Sequence, residues 1–125
     1  MYRYLILALI VWTSGHASAH EFTPTYPKLN QSYVPGVLYA TMTLFNVRED
    51  VEYYEMGVYD AEWNPVVFAM QEKLVRIKHL EKKKIDFFIR EKDREDAVYI
   101  CSKSKLIVEG GSRTSVISRI CSKIK

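Results

Sequence analysis

Apolar and polar residues alternate with a period of two through much of the chain. From Val37 to Asn46, Leu38, Ala40, Met42 and Leu44 share one face, and Thr41 and Thr43 the other. That is the pattern of a half-buried strand. Arg48-Glu49-Asp50 reads as a charged turn. Val51 to Tyr59 alternates again, with Tyr54, Met56 and Val58 on one side. Asp60 to Pro65 is a turn signal, and Val66 to Met70 follows as a short strand. Ile85, Phe87 and Ile89 alternate with Asp86, Phe88 and Arg90, and Glu91 to Asp96 is a charged connector. Ala97 to Val108 and Ser115 to Ile124 then form a hairpin turning at Glu109 to Arg113.

Two stretches read less simply. Residues 20–36 carry three of the four prolines and predict an extended lead-in with an edge strand at most. Leu74, Val75, Ile77 and Leu80 fit either a strand with a loop or one amphipathic helix over 71–83. The strand reading covers Leu74–Lys78 and puts a turn at Glu81-Lys82-Lys83-Lys84; the helix would make the fold α+β. The count is seven to eight short strands with turns every 8–12 residues, which predicts an all-β, single antiparallel β-sandwich.

The first 19 residues have a different character. Arg3 precedes the apolar run Leu5 to Trp12, and Ala17-Ser18-Ala19 has the small-x-small form of a cleavage site. Residues 1–19 therefore read as a signal peptide, and 20–125 as the domain, secreted or periplasmic and with no stable membrane insertion after cleavage. Setting Arg3 aside leaves 17 basic against 15 acidic residues. So near a balance argues for a protein partner and against nucleic acid.

Two cysteines in an exported chain predict one disulfide. Cys101 and Cys121 lie symmetrically about Gly111, so the hairpin would set them opposite each other. Facing strand residues have Cα atoms about 4.5–5.5 Å apart, within disulfide range. The same register puts Lys103 opposite Arg119, a like-charge pair. The local repeat Ile100-Cys101-Ser102-Lys103-Ser104-Lys105 and Ile120-Cys121-Ser122-Lys123-Ile124-Lys125 reads as two similar strands flanking the bridge.

No catalytic residues suggest themselves. The chain has no Gly-x-Ser-x-Gly, no phosphate-binding glycine loop and no Cys-x-x-Cys, and its carboxylates sit in turns. The expectation is a protein that is not an enzyme and needs no cofactor. The alternative is copper. Cleavage would leave His20 with a free amine beside its imidazole, two nitrogens able to chelate Cu(II) in a small periplasmic protein. For a protein partner the candidates are aromatic and basic: Tyr53, Tyr54, Trp63, Lys103, Arg119 and Lys123. Tyr53 and Tyr54 must point to opposite faces, so one of them is outward.

The middle of the chain resembles the N-terminal immunoglobulin-like (PapD-like) domain of periplasmic pilus chaperones. The residues that carry the likeness are Leu44-Phe45-Asn46 closing a strand and Val51 to Met56 opening the next. Asp60 to Pro65, Leu80, Ile85-Asp86-Phe87 and Ala97 to Cys101 continue it. The resemblance implies an immunoglobulin-like sandwich. In that family a terminal strand is lent to a pilin subunit, and basic residues in an interdomain cleft anchor the subunit's C-terminus. Here no second domain is expected, and Ser115 to Cys121 alternates poorly, so only the fold carries over. Thr23 to Leu29 and Ser118 to Lys125 are also similar to small exported proteins of marine bacteriophages, a likeness that implies no activity. The expected function is an exported, non-catalytic protein-binding or structural module, an accessory part of a periplasmic, surface or virion assembly.

Overall fold

The computed structural model describes residues 19–105 and 117–125. Residues 1–18 of the expected leader and the turn at Glu109 to Arg113 fall outside them. Nine strands build two antiparallel sheets: β1 (Glu21–Thr23), β2 (Asn30–Gln31), β3 (Val37–Phe45), β4 (Tyr53–Tyr59), β5 (Phe68–Ala69), β6 (Leu74–Arg76), β7 (Lys82–Arg90), β8 (Tyr99–Lys105) and β9 (Arg119–Lys123). The first sheet runs β1-β3-β7-β5, with β2 also paired to β3, and the second runs β6-β4-β8-β9. The β-sandwich follows from strand parity. Leu38, Ala40, Met42 and Leu44 of β3 and Ile85, Phe87 and Ile89 of β7 are buried against Tyr54, Met56 and Val58 of β4 and Ile100 of β8.

The lead-in is more ordered than its prolines suggest. β1 pairs with the Thr43–Phe45 end of β3 and β2 with the Leu38–Tyr39 end. Between them the chain crosses to the other sheet, where Lys123 donates its N–H to the Thr25 carbonyl and Lys125 to that of Pro27. Proline removes a donor but leaves its carbonyl to accept. One extended segment thus stitches both sheets together, and it raises the strand count to nine.

The stretch after β5 is strand, not helix. Leu74, Val75 and Arg76 pair with Glu55, Tyr54 and Tyr53 of β4, with Val75 and Ile77 buried and Leu74 and Leu80 exposed. The turn falls earlier than expected. Glu81 donates its N–H to the Lys78 carbonyl, and Leu80 takes a positive φ of 61°. Lys82–Lys84 belong to β7, opposite Thr43–Phe45. They occupy the end of the sheet, where long lysine stems lie along the surface with their ammoniums in water. The expected strand at Val66–Met70 shrinks to the two residues of β5.

Cys101 faces Cys121, Ser102 faces Ile120 and Lys103 faces Arg119. The disulfide is formed, with the Cα atoms 4.1 Å apart. Ser104 donates to the Ser118 carbonyl and Ile124 to that of Val98, so even-numbered residues of β9 bond to β8. Cys121 is therefore in a non-hydrogen-bonded pair, the closer kind. The six-residue repeat also has its explanation here. In both strands Ile and Ser point inward while Cys and Lys point outward.

Candidate functional site

The outer face of the second sheet gathers most of the candidate residues. Strand parity places Tyr53, Glu55, Gly57 and Tyr59 of β4 there, beside Tyr99, Cys101, Lys103 and Lys105 of β8 and Arg119, Cys121 and Lys123 of β9. Tyr59 faces Tyr99 across the ladder, Arg119 faces Lys103, and Lys123 faces Tyr99.

Trp63 joins this face from the turn after β4. Asp60 builds that turn: its Oδ1 accepts from the backbone N–H of Asn64 at 2.8 Å and of Glu62 at 2.9 Å, and its Oδ2 from the Asn64 side chain. These hydrogen bonds, the Asn64 N–H foremost, hold the Asp60 carboxyl below the usual carboxylate range. Within the turn Trp63 adopts a positive φ of 66°. The left-handed region is unfavourable for a bulky residue and persists only where the surroundings impose it. Here it lays the indole flat on the Tyr99 ring, with centroids 4.3 Å apart and planes 6° from parallel. Trp63 stays 48% exposed.

Arg119 completes the cluster. Its guanidinium carbon lies 4.7 Å from the Tyr59 ring centroid and 5.1 Å from that of Trp63. Two aromatic rings therefore lie within cation–π distance of the same cation, an arrangement arginine accepts more readily than lysine. The structure thus brings Trp63, Lys103, Arg119 and Lys123 onto one surface. Tyr53 shares the face but sits at its other end, under Arg76, which is paired with Glu52. Tyr59 and Tyr99 belong to the cluster and were not among the candidates. Their signal is their parity: both are outward strand-end positions, Tyr59 closing β4 before the Asp60 turn and Tyr99 opening β8 opposite it.

Tyr54 does not belong to this surface. It points inward with Met56 and Val58 and is fully buried. Its hydroxyl donates to Asn46 Oδ1 at 2.6 Å, and burial pushes its phenol up to about 12. Aromatic character suggested an exposed contact, but strand parity makes it a core residue with a polar tip.

His20 is not a loose end. It is buried, 4.6 Å from the Tyr54 ring, and both ring nitrogens are engaged: Nε2 with Ser102 Oγ at 2.6 Å and Nδ1 with Ser118 Oγ at 3.1 Å. Burial, and then the charge of Arg48, pull its pKa down to about 4. A copper site at His20 is at odds with this placement. The serine hydroxyls hold both nitrogens, and the other candidate imidazole, His79, lies on the surface beside Glu49. Among the described residues no three His, Cys, Asp or Glu side chains are grouped to hold a metal. Instead His20 belongs to a polar end of the core with Arg48, Asn46, Ser102, Ser104 and Ser118. Arg48 reaches Asp50 at 2.7 Å and Ser104 and Ser118 at 3.4 Å.

No protein family matches the sequence, and no curated protein does. A solved structure does match the fold: the crystal structure of the E. coli chaperone DraB, with a TM-score of 0.61 at 15% sequence identity. The fold is chaperone-like. The match covers 85% of this chain but 53% of DraB, so the chain spans about half the length of that structure. Within this sandwich the Trp63–Arg119 cluster lies on the outer face of the second sheet and includes a residue of its terminal strand β9.

Proposed function

We propose that this chain is an exported, non-catalytic protein-binding module, an accessory part of a periplasmic, cell-surface or virion assembly. Its partner sits on the outer face of the second sheet. One observation carries the reading: a half-exposed Trp63 held rigid against Tyr99 and Arg119 by a strained turn. Tryptophan, tyrosine and arginine dominate binding energies at protein interfaces, and side chains already fixed lose little entropy on association. The chaperone-like fold and the leader-like residues 1–19 support export and partner binding. A balanced charge favours a protein over a polyanion. Among the described residues no helix is long and apolar enough to cross a membrane.

Chemical cross-linking in the producing cells, read by mass spectrometry, tests this. The expected result is a protein partner joined at residues 59–63, 99–103 and 119–123 and lost with Trp63→Ala. Cross-links concentrated on the first sheet, or a partner retained by Trp63→Ala, would overturn the proposal.

A further inference from the structure

Resting on that partner surface, we infer that its ligand is an extended acidic peptide segment, held by Arg119, Lys103 and Lys123. These three cations lie on two adjacent strands. Lys103 faces Arg119 directly, and Lys123 stands four residues along β9 from Arg119 on the same face. Among the described residues none of them forms an ion pair with a carboxylate; Glu55, which faces Lys103 from β4, is paired with Lys105 at 2.7 Å. Two like charges directly opposite each other are unfavourable in a free sheet. An incoming carboxylate between Lys103 and Arg119 turns that repulsion into attraction.

The geometry also selects the shape of the ligand. The Arg119 guanidinium lies over the Tyr59 and Trp63 rings, whose centroids are 6.3 Å apart, with its Nη2 3.9 Å from Cys101 Sγ, and a carboxylate engages such a fork through parallel hydrogen bonds. Arg119 and Lys123 are about 13 Å apart at the rise of a strand. Carboxylates four residues apart on an extended peptide match that span, because alternate side chains fall on one face. On a helix the same spacing covers only about 6 Å.

The strip is short. Beyond Lys103 the same face passes to the Glu55–Lys105 pair and to Tyr53 with the Arg76–Glu52 pair. A nucleic-acid backbone or an anionic membrane calls for a broader basic surface. A peptide segment fits the area available.

The test uses the full chain and a fluorescein-labelled peptide of alternating Glu and Thr, about ten residues long so that it spans the strip. Its Gln-for-Glu counterpart, phosphatidylglycerol vesicles and an oligothymidylate serve as competing probes. Fluorescence anisotropy should show the Glu peptide bound at least about tenfold more tightly than the Gln peptide. Arg119→Gln should lose at least about tenfold and Lys123→Gln about threefold. Both side chains are exposed, so an unchanged melting temperature confirms an intact fold. Arg119→Gln binding as wild type does, or vesicles or oligothymidylate outcompeting the Glu peptide, would sink the inference. Partner cross-links at residues 59–63 combined with indifference to the Glu peptide would overturn the acidic ligand and leave the protein-binding proposal standing.

Discussion

Tyr59 lies over Gly57: a Cβ placed on Gly57 would fall 2.6 Å from the Tyr59 hydroxyl oxygen and 2.7 Å from its ring. The glycine is what lets the ring fold back along β4 beside the disulfide and under Arg119. Gly57→Ala therefore drives Tyr59 off its place. The ring is half-buried and can swing toward solvent, so the stability cost should be only about 1 kcal/mol, at the low end for overpacking. Partner binding should fall much further, since Arg119 loses one of its two aromatic faces. Urea unfolding together with the peptide titration would separate the two effects.

The disulfide joins neighbouring strands and closes a separation of 20 residues. Chain entropy assigns such a loop about 3 kcal/mol. Cys101→Ala/Cys121→Ala should lower unfolding stability by that order in urea melts, with the slope against urea raised if the unfolded chain expands. Alkylation of the unreduced wild-type protein, followed by mass measurement, should leave both sulfurs unmodified.

Strand parity made much of this fold legible. The inward rows of β3, β4 and β7 could be read directly, and symmetry about Gly111 gave the Cys101–Cys121 register. From that register came the Lys103–Arg119 pair. Other features depend on tertiary placement. Trp63 and Arg119 are 56 positions apart in sequence, and only the β4-β8-β9 order brings them together. His20 and Arg48 looked like surface residues because no local pattern reveals a polar pocket. Its trace was there in Ser102 and Ser104, which share the inward parity of Ile100 and are buried. The prolines of the lead-in hid its pairing, which uses the carbonyls of Thr25 and Pro27 and the strands on either side. Three consecutive lysines read as a turn although β3 needed their backbone as a partner.

His20 makes stability depend on pH. Its pKa in the folded protein is about 4, against 6.5 in an unfolded chain. Between these values the unfolded state binds more protons, so folding weakens as pH falls from 6.5 toward 4 and levels off below. Protonation would place a second cation beside Arg48. Wild type should lose more stability between pH 7 and pH 4.5 than His20→Gln does, in matched urea melts. Parallel curves for the two proteins would exclude His20 as the source.

Asn46 ties three segments together and uses all of its amide. Nδ2 donates to the Val51 and Ile77 carbonyls, each at 2.7 Å, and Oδ1 accepts from the Arg48 N–H at 3.0 Å and the Tyr54 hydroxyl at 2.6 Å. The residue is fully buried, so water cannot replace these bonds without opening the core. Asn46→Ala leaves two carbonyls, an N–H and a hydroxyl without partners. At about 1–3 kcal/mol for a buried orphan, with partial relaxation, the loss should reach about 4 kcal/mol, among the largest of any single substitution here. Asn46→Asp keeps the volume and the acceptor but turns an oxygen toward the Val51 and Ile77 carbonyls. It should also destabilise, and more at neutral than at acidic pH, because only the protonated acid can still donate to one of them. Thermal melts of both variants at pH 7 and pH 5 would show the difference. An Asn46→Asp protein as stable as wild type at pH 7 would mean that these carbonyls find other donors.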